Sequence, residues 1–283
     1  MIKVGILPNI EKDKDLAVTK RLLRHLLDRG CMPQLSENVA KIADLELYAR
    51  KDEELFQYSD FLISLGGDGT LLGVGRKAAC YDTPILGINL GTLGFLTAEE
   101  KNKAEFAIDK VLEGKYSTEK RMLLETNFDT GNQIQENILA LNDICVTRGL
   151  LYKILEFRIY INGEYVDTLR ADGVVVCTPT GSTAYNLSAG GPVLKADAQI
   201  IAITPIAAHT LTSRSIVISA EDTVTLEVNP REDTAFTVSA DGQEAWSLSG
   251  RTTIHIQKAK IFASIMKTNT QSFYDVLRHK LGR

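Results

Sequence analysis

Phe61-Leu62-Ile63-Ser64-Leu65-Gly66-Gly67-Asp68-Gly69-Thr70-Leu71-Leu72 reads as a buried strand, a turn and the opening of a helix. An apolar run passes directly into a double glycine, and Leu71-Leu72 starts a new apolar face. Glycines at such a turn let the backbone approach a phosphate closely, while a helix N-terminus points its unpaired N–H groups at it. The loop lacks the Gly-Lys-Ser/Thr of a P-loop and does not follow the G-x-G-x-x-G spacing of a dinucleotide fold's first turn. At its centre stands Asp68. A carboxylate beside phosphates is repelled by them, so its presence needs a reason. It takes a proton from an attacking hydroxyl, it holds a Mg²⁺ that bridges phosphates, or it caps the helix and tightens the turn. The strand before it and the glycines around it favour the chemical readings over the cap.

Working outward, the first part of the chain alternates strand and helix signals. Ile2–Leu7 reads as a strand, and Asp15 to Arg29 places Leu16, Thr19, Leu22, Leu23, Leu26 and Leu27 near helical spacing before Gly30. Pro33-Gln34-Leu35 and Pro84–Asn89 are further strands, and Glu100–Leu112 is a helix closed by Gly114. This alternation predicts an α/β domain with a mainly parallel sheet. From Met122 onward the signals become short strands: 123–128, 136–146, 155–161, 173–178, 200–204, 223–228, 235–239 and 253–257. Asn162-Gly163 between two apolar runs marks a two-residue hairpin, since a type I′ turn needs positive φ at both central positions. The second domain is expected to be all-β, a sandwich or related layered sheet. Ser272–Lys280 reads as a C-terminal helix packing back on the first domain. The expected division is 1–119, joined by 262–283, against 120–261.

At 283 residues the chain has room for two cores. A net charge of -4 without any Lys/Arg-rich run argues against a nucleic-acid partner or a polybasic membrane patch. Cys31, Cys80, Cys145 and Cys177 form no C-x-x-C pair, which disfavours a structural zinc and fits a reducing compartment. The N-terminal apolar run is too short for a signal sequence, and no apolar stretch approaches membrane-spanning length. The expectation is a cytoplasmic protein.

Three further segments carry polar residues in unusual places. Asn89-Leu90-Gly91-Thr92-Leu93-Gly94-Phe95-Leu96 follows the next strand and suggests a tight loop at the C-terminal edge of the sheet, where open α/β folds bind ligands. Asn142-Asp143 interrupts an apolar strand. It suits recognition of ribose hydroxyls, and a hydrogen-bonded bulge accounts for it equally well. The stretch Thr178-Pro179-Thr180-Gly181-Ser182-Thr183-Ala184-Tyr185-Asn186-Leu187-Ser188 leads through Ala189-Gly190-Gly191 to Pro192. Its small residues let a flat ring lie on backbone. Tyr185 can stack on that ring, and Thr183, Asn186 and Ser188 can reach its edge.

In this order the blocks resemble the NAD kinase family, from the first strand to near the C-terminus. Gly-Gly-Asp-Gly-Thr alone is shared with diacylglycerol and sphingosine kinases, and phosphofructokinases have a related loop; the later blocks are more specific. Ile203–Leu211 and Asp241-Gly242-Gln243 add matches. The resemblance implies a diacylglycerol kinase/phosphofructokinase-like first domain and a transferase that phosphorylates the 2′-hydroxyl of the adenosine ribose of NAD⁺ with ATP, giving NADP⁺ and ADP. It implies Asp68 as general base, with Gly69, Asn142, Asp143, Lys153, Arg170, Asp172, Thr183, Ala184, Tyr185, Asn186, Leu187, Ser188 and Gln243 binding the dinucleotide. Lys153, Arg170 and Asp172 would do so from a neighbouring subunit of a homodimer or homotetramer. Mg²⁺ or another divalent cation is implied by the ATP chemistry, polyphosphate is an alternative donor, and no residue is expected to be a dedicated metal ligand. Arg76 is a second candidate phosphate contact, and His209 is read as a hydrogen-bonded structural histidine.

Overall fold

A computed structural model of the chain describes all residues except 93, 98, 130–133, 150–153, 211, 231–233 and 283. The chain divides into two compact units, Met1–Lys120 with Ile261–Arg283, and Arg121–Lys260.

The first unit is built on parallel strands in the order Ile85–Asn89, Phe61–Gly66, Lys3–Pro8, Met32–Ser36, Ala49–Arg50. Phe61–Gly66 and Ile85–Asn89 are buried at every position, as strands covered on both faces must be. Helices Ala17–Asp28, Glu37–Ala43, Asp52–Tyr58 and Asp68–Ala79 connect them, and Ala104–Leu112 follows the last. Leu22, Leu23 and Leu26 pack with Val4, Ile6, Leu35, Ile63 and Ile88 in the main core. The Asp15–Arg29 helix begins two residues later than its periodicity suggests. Asp15 and Leu16 have positive φ, and the buried Asp13 carboxylate accepts Val18 N–H at 2.9 Å, Thr19 N–H at 2.9 Å and the Thr19 hydroxyl at 2.6 Å. The chain is thus turned before it coils. At the other end, Ser272 caps the helix Phe273–Leu281 in a reciprocal box with Asp275.

The parallel register has a direct consequence. Gly66 pairs with Asn89, so the loops that follow the two strands leave the same edge of the sheet, and Leu90 N–H donates to Gly66 C=O at 2.8 Å.

The second unit is antiparallel throughout its described pairings. One ladder runs Glu164–Ala171, Leu155–Ile161, Val224–Asn229 and the first part of Thr252–Lys267, with Ser117–Asp129 and Ile134–Ala140 also paired to each other. A six-stranded sheet follows the order Ile216–Ser219, Ile200–Ile206, Gly173–Cys177, Asp143–Arg148, Phe236–Ala240, Glu244–Leu248. The expected single strand 136–146 is two strands, broken at Leu141-Asn142, because Asp241 draws the backbone of 141–143 out of the ladder. The final strand extends to Lys267, far beyond the five residues read from alternation.

Asn162 and Gly163 have φ of 52° and 81°, and the strands they join pair Ile161 with Glu164. Asn162 also accepts Thr223 N–H at 2.9 Å and donates to Asp222 at 2.7 Å, which fixes the turn. A Cβ on Gly163 would meet nothing within 4 Å, so substitution there acts through backbone strain alone. Gly163→Ala is expected to destabilise the unit by about 1 kcal/mol. Urea unfolding followed through the single tryptophan, Trp246, measures it.

Candidate active site

In the first unit the site is made by the two loops that share a sheet edge. Asp68 is the first residue of the helix Asp68–Ala79, after the N-cap Gly67, and its carboxylate's hydrogen bonds do not come from that helix. It reaches the neighbouring loop instead. Oδ2 accepts Phe95 N–H at 2.7 Å; Oδ1 accepts Leu96 N–H at 3.1 Å, Thr97 N–H at 3.1 Å and the Thr97 hydroxyl at 3.0 Å. The helix-cap reading of this aspartate therefore fails on geometry. A Cβ at position 94 would lie 1.9 Å from Asp68 Oδ1, so Gly94 is required for the carboxylate to lie against that loop. At Gly69 an added Cβ meets no atom of the described residues within 4 Å. Arg76 is buried further along the same helix.

In the second unit the polar residues gather around the Leu141-Asn142 break. Asp241, in a turn where it and Gly242 both have positive φ, accepts Leu141 N–H at 3.0 Å, Asn142 N–H at 2.7 Å and Asp143 N–H at 3.2 Å. Thr178 donates its hydroxyl to Leu141 C=O at 2.6 Å and its N–H to Asn142 C=O at 2.8 Å. A Cβ on Gly181 would sit 2.1 Å from Asn142 O, so the 178–183 turn can close on that bend only with glycine there. Asp143 is 5% exposed. Burial, helped by the neighbouring Asp241 charge, pushes its carboxyl up to about 7.

The Thr178–Pro192 segment folds as a 3₁₀ turn, Gly181–Thr183, and a single helical turn, Tyr185–Ser188. Tyr185 is 44% exposed; partial burial, then the Cys145, Asp143 and Asp172 charges, raise its phenol above its ordinary range. Ser188 is exposed, and Thr183, Ala184 and Leu187 are half-buried. Asn186 is different. It is fully buried, donates to Ser182 C=O at 3.1 Å and Pro192 C=O at 2.9 Å, and accepts the Thr204 hydroxyl at 2.7 Å. Its amide is engaged inside the loop, not at the loop's surface. Asp172 pairs with Arg148 through both carboxylate oxygens, at 2.8 and 3.1 Å, and the exposed Arg170 reaches Glu156 at 3.2 Å. Gln243 is exposed in the Asp241 turn, and His209 N–H donates to Arg170 C=O at 2.8 Å. Lys153 lies outside the described residues.

In the sequence Asp241 stands only within the matching Asp241-Gly242-Gln243 block, with no role of its own, and Thr97 is not singled out. An Asp-Gly turn marks Asp241 as a bend but gives no hint of what its carboxylate holds, and Thr97 stands one residue past the glycine-rich block. Among the described residues no group of three or more His, Cys, Asp and Glu stands close enough to hold a metal ion. No described helix is long and apolar enough to cross a membrane.

Residues 4–116 match the ATP-NAD kinase N-terminal domain family, and residues 141–268 match the ATP-NAD kinase C-terminal domain family. The chain belongs to the NAD kinase family. It is 46% identical over 281 residues to the NAD kinase of Caldanaerobacter subterraneus subsp. tengcongensis and 39% identical over 282 residues to that of Clostridium perfringens, covering 99% of both chains in each case. Among solved structures it resembles an NAD kinase from Archaeoglobus fulgidus in complex with ATP, with a TM-score of 0.80, 27% identity and 99% of both chains covered. The fold also matches that of yeast NADH kinase complexed with NADH, with a TM-score of 0.87 over 98% of this chain and 86% of that one. The NAD kinase fold, a mainly parallel α/β domain followed by an all-antiparallel β domain and a C-terminal helix, is the one described above.

The buried carboxyl of Asp143 has a measurable consequence. Folded, it keeps its proton up to about pH 7; unfolded, it releases it near its ordinary 3.8. Between these values the folded state binds more protons, so stability falls as pH rises through the window. The contribution is at most roughly 4 kcal/mol, from about 1.4 kcal/mol per pH unit. Urea unfolding read at Trp246 is expected to give a lower midpoint at pH 8 than at pH 5, and Asp143→Asn is expected to remove most of that difference.

Proposed function

We propose that this chain transfers the γ-phosphoryl group of ATP to the 2′-hydroxyl of the adenosine ribose of NAD⁺, with Asp68 as the general base. The observation that carries the assignment is the carboxylate itself. It is held by four donors from one loop, beside a glycine around which, among the described residues, an added Cβ would meet nothing within 4 Å. A base must be fixed in place before the substrate arrives, and here the fixing groups are mostly backbone amides.

The reaction balances simply. The 2′-hydroxyl proton passes to Asp68 as the ribose oxygen forms a bond to the γ-phosphorus. The bond from phosphorus to the β,γ-bridging oxygen breaks, its electron pair leaving with ADP, and NADP⁺ is released. Mg²⁺ would neutralise charge developing on the phosphates. In this reading Mg²⁺ enters with the ATP substrate.

For the dinucleotide, we assign Gly69 to close backbone approach, and Asn142 and Asp143 to ribose hydroxyls. Thr183, Ala184, Tyr185, Leu187 and Ser188 contact a nucleoside, with Tyr185 as the exposed stacking ring. The buried amide of Asn186 shapes this loop from inside. Gln243 adds an amide contact. Arg170, Asp172 and Lys153 act toward the dinucleotide of a neighbouring subunit in a homodimer or homotetramer. A cytoplasmic setting accords with four free cysteines, three of them buried.

Purified protein given NAD⁺, ATP and Mg²⁺ is expected to form NADP⁺, read by a coupled NADP⁺-specific dehydrogenase. Asp68→Asn is expected to lower kcat by about 100-fold or more while leaving NAD⁺ affinity nearly intact, because a base contributes mainly in the transition state. Unchanged turnover would leave Asp68 as a structural tie for the 95–97 loop. Tyr185→Ala is expected to raise the KM for NAD⁺ by roughly 10-fold, the effect of losing one base–aromatic stack; an unchanged KM would place the ring elsewhere.

A further inference from the structure

The loop that holds Asp68 contains a second layer of hydrogen bonds whose direction can be worked out atom by atom. Asn89, the last residue of its strand and almost fully buried, accepts Gly91 N–H on Oδ1 at 2.7 Å. That fixes which end of its amide is which. Its two Nδ2 hydrogens then go to Thr92 C=O at 2.6 Å and to Thr97 Oγ1 at 2.8 Å. Thr97 is 0% exposed, and a threonine hydroxyl has one proton and two acceptor lone pairs. Since Asn89 donates to it, the hydroxyl proton of Thr97 is directed to Asp68 Oδ1, 3.0 Å away.

The two oxygens of the carboxylate are therefore unlike. Oδ1 takes three donors, Leu96 N–H, Thr97 N–H and Thr97 O–H. Among the described residues Oδ2 takes one, Phe95 N–H, and keeps a lone pair. We propose that Thr97, oriented by Asn89, is a positioning residue whose hydroxyl adds to the two amides on Oδ1 of Asp68, fixes the plane of the carboxylate and so holds Oδ2 as the oxygen that accepts the ribose proton. The proposal rests on Asp68 being the base. Without the Thr97 hydroxyl, Oδ1 keeps only the Leu96 and Thr97 amides, both at 3.1 Å, so the carboxylate loses one of the four bonds that set its plane, can turn about its Cβ–Cγ bond, and no longer holds Oδ2 in a fixed direction. The loss would fall on the chemical step and not on substrate binding, because Thr97 is buried and touches the substrate only through Asp68.

The test uses the full chain with saturating Mg·ATP and varied NAD⁺. Thr97→Val keeps shape and removes the hydroxyl. It is expected to lower kcat about 10- to 100-fold while moving the KM for NAD⁺ less than about threefold, the pattern of an interaction made in the transition state. Thr97→Ser restores the hydroxyl and is expected to return kcat to within about threefold of the parent. In an Asp68→Asn background, Thr97→Val is expected to lower the residual rate by less than about twofold, since residues acting as one unit are not additive. If Thr97→Val does not fold, Asn89→Ala carries the test, with an expected fall in kcat of about 3- to 10-fold at constant KM. A Thr97→Val enzyme with parental kcat, a raised KM with unchanged kcat, or an equal loss with and without Asp68 would each overturn the proposal. If Asp68→Asn is inactive and Thr97→Val is normal, only the positioning role falls. If Asp68→Asn itself keeps full turnover, the base assignment falls first and this inference with it.

Discussion

Asp68 takes four hydrogen bonds from three consecutive residues of a loop that begins on the neighbouring strand. An aspartate at the first position of a helix can bond within its own helix, but the bonds of this one come from the 95–97 loop. The cross-loop tie exists because Phe61–Gly66 and Ile85–Asn89 run parallel and end level, Gly66 opposite Asn89. Shift that register by one residue and every side chain changes face, so the carboxylate would point away from the N–H groups of 95–97. The all-buried character of both strands prevents such a slip. Packing in the sheet thus sets the position of a charged group at its edge.

The second unit uses a similar device for a different end. Asp241 collects the N–H groups of Leu141, Asn142 and Asp143, as Asp68 collects those of Phe95, Leu96 and Thr97. In both cases a carboxylate replaces the ladder partner that the bent backbone has lost, which is how a buried irregular segment avoids unsatisfied amides. The difference lies in what is brought alongside. Around Asp241 the bend carries a second carboxyl, that of Asp143, into the same low-dielectric environment, and two like charges there resist joint ionisation. Burial is the larger cause, and the Asp241 charge adds to it.

Much of the architecture could be read from pattern because it rests on pattern. The buried strands around Gly66-Gly67-Asp68, the Asn162-Gly163 turn and the change from alternating α/β signals to strands all follow from local composition. The helices Glu37–Ala43 and Asp52–Tyr58 escaped notice because each spans only seven residues and buries three or two side chains. The break at Leu141-Asn142 was hidden for another reason: its cause, Asp241, is about a hundred residues away. Asn186 illustrates the limit for the site. An amide in a loop of hydroxyls invites a ligand role, and nothing local tells that Thr204 and two carbonyls already hold it. Thr97 is the reverse case, an ordinary threonine in sequence that gains meaning only from the two residues it connects, Asn89 and Asp68.

The distribution of donors also bears on whether Asp68 acts as a base or holds a metal. Both tasks need a free lone pair on the carboxylate, and Oδ1 has none to offer while three donors are in place. Oδ2 can serve one partner. The proposed base needs one oxygen, one lone pair and a fixed direction, and the Phe95–Thr97 loop leaves these on Oδ2. The amides on the carboxylate also lessen the repulsion between it and incoming phosphates, because their dipoles point positive ends at the charge. If the loop receives phosphates as proposed, an acid inside it has a physical resolution: the charge is left on Oδ2, the oxygen assigned to the proton, and is compensated at Oδ1.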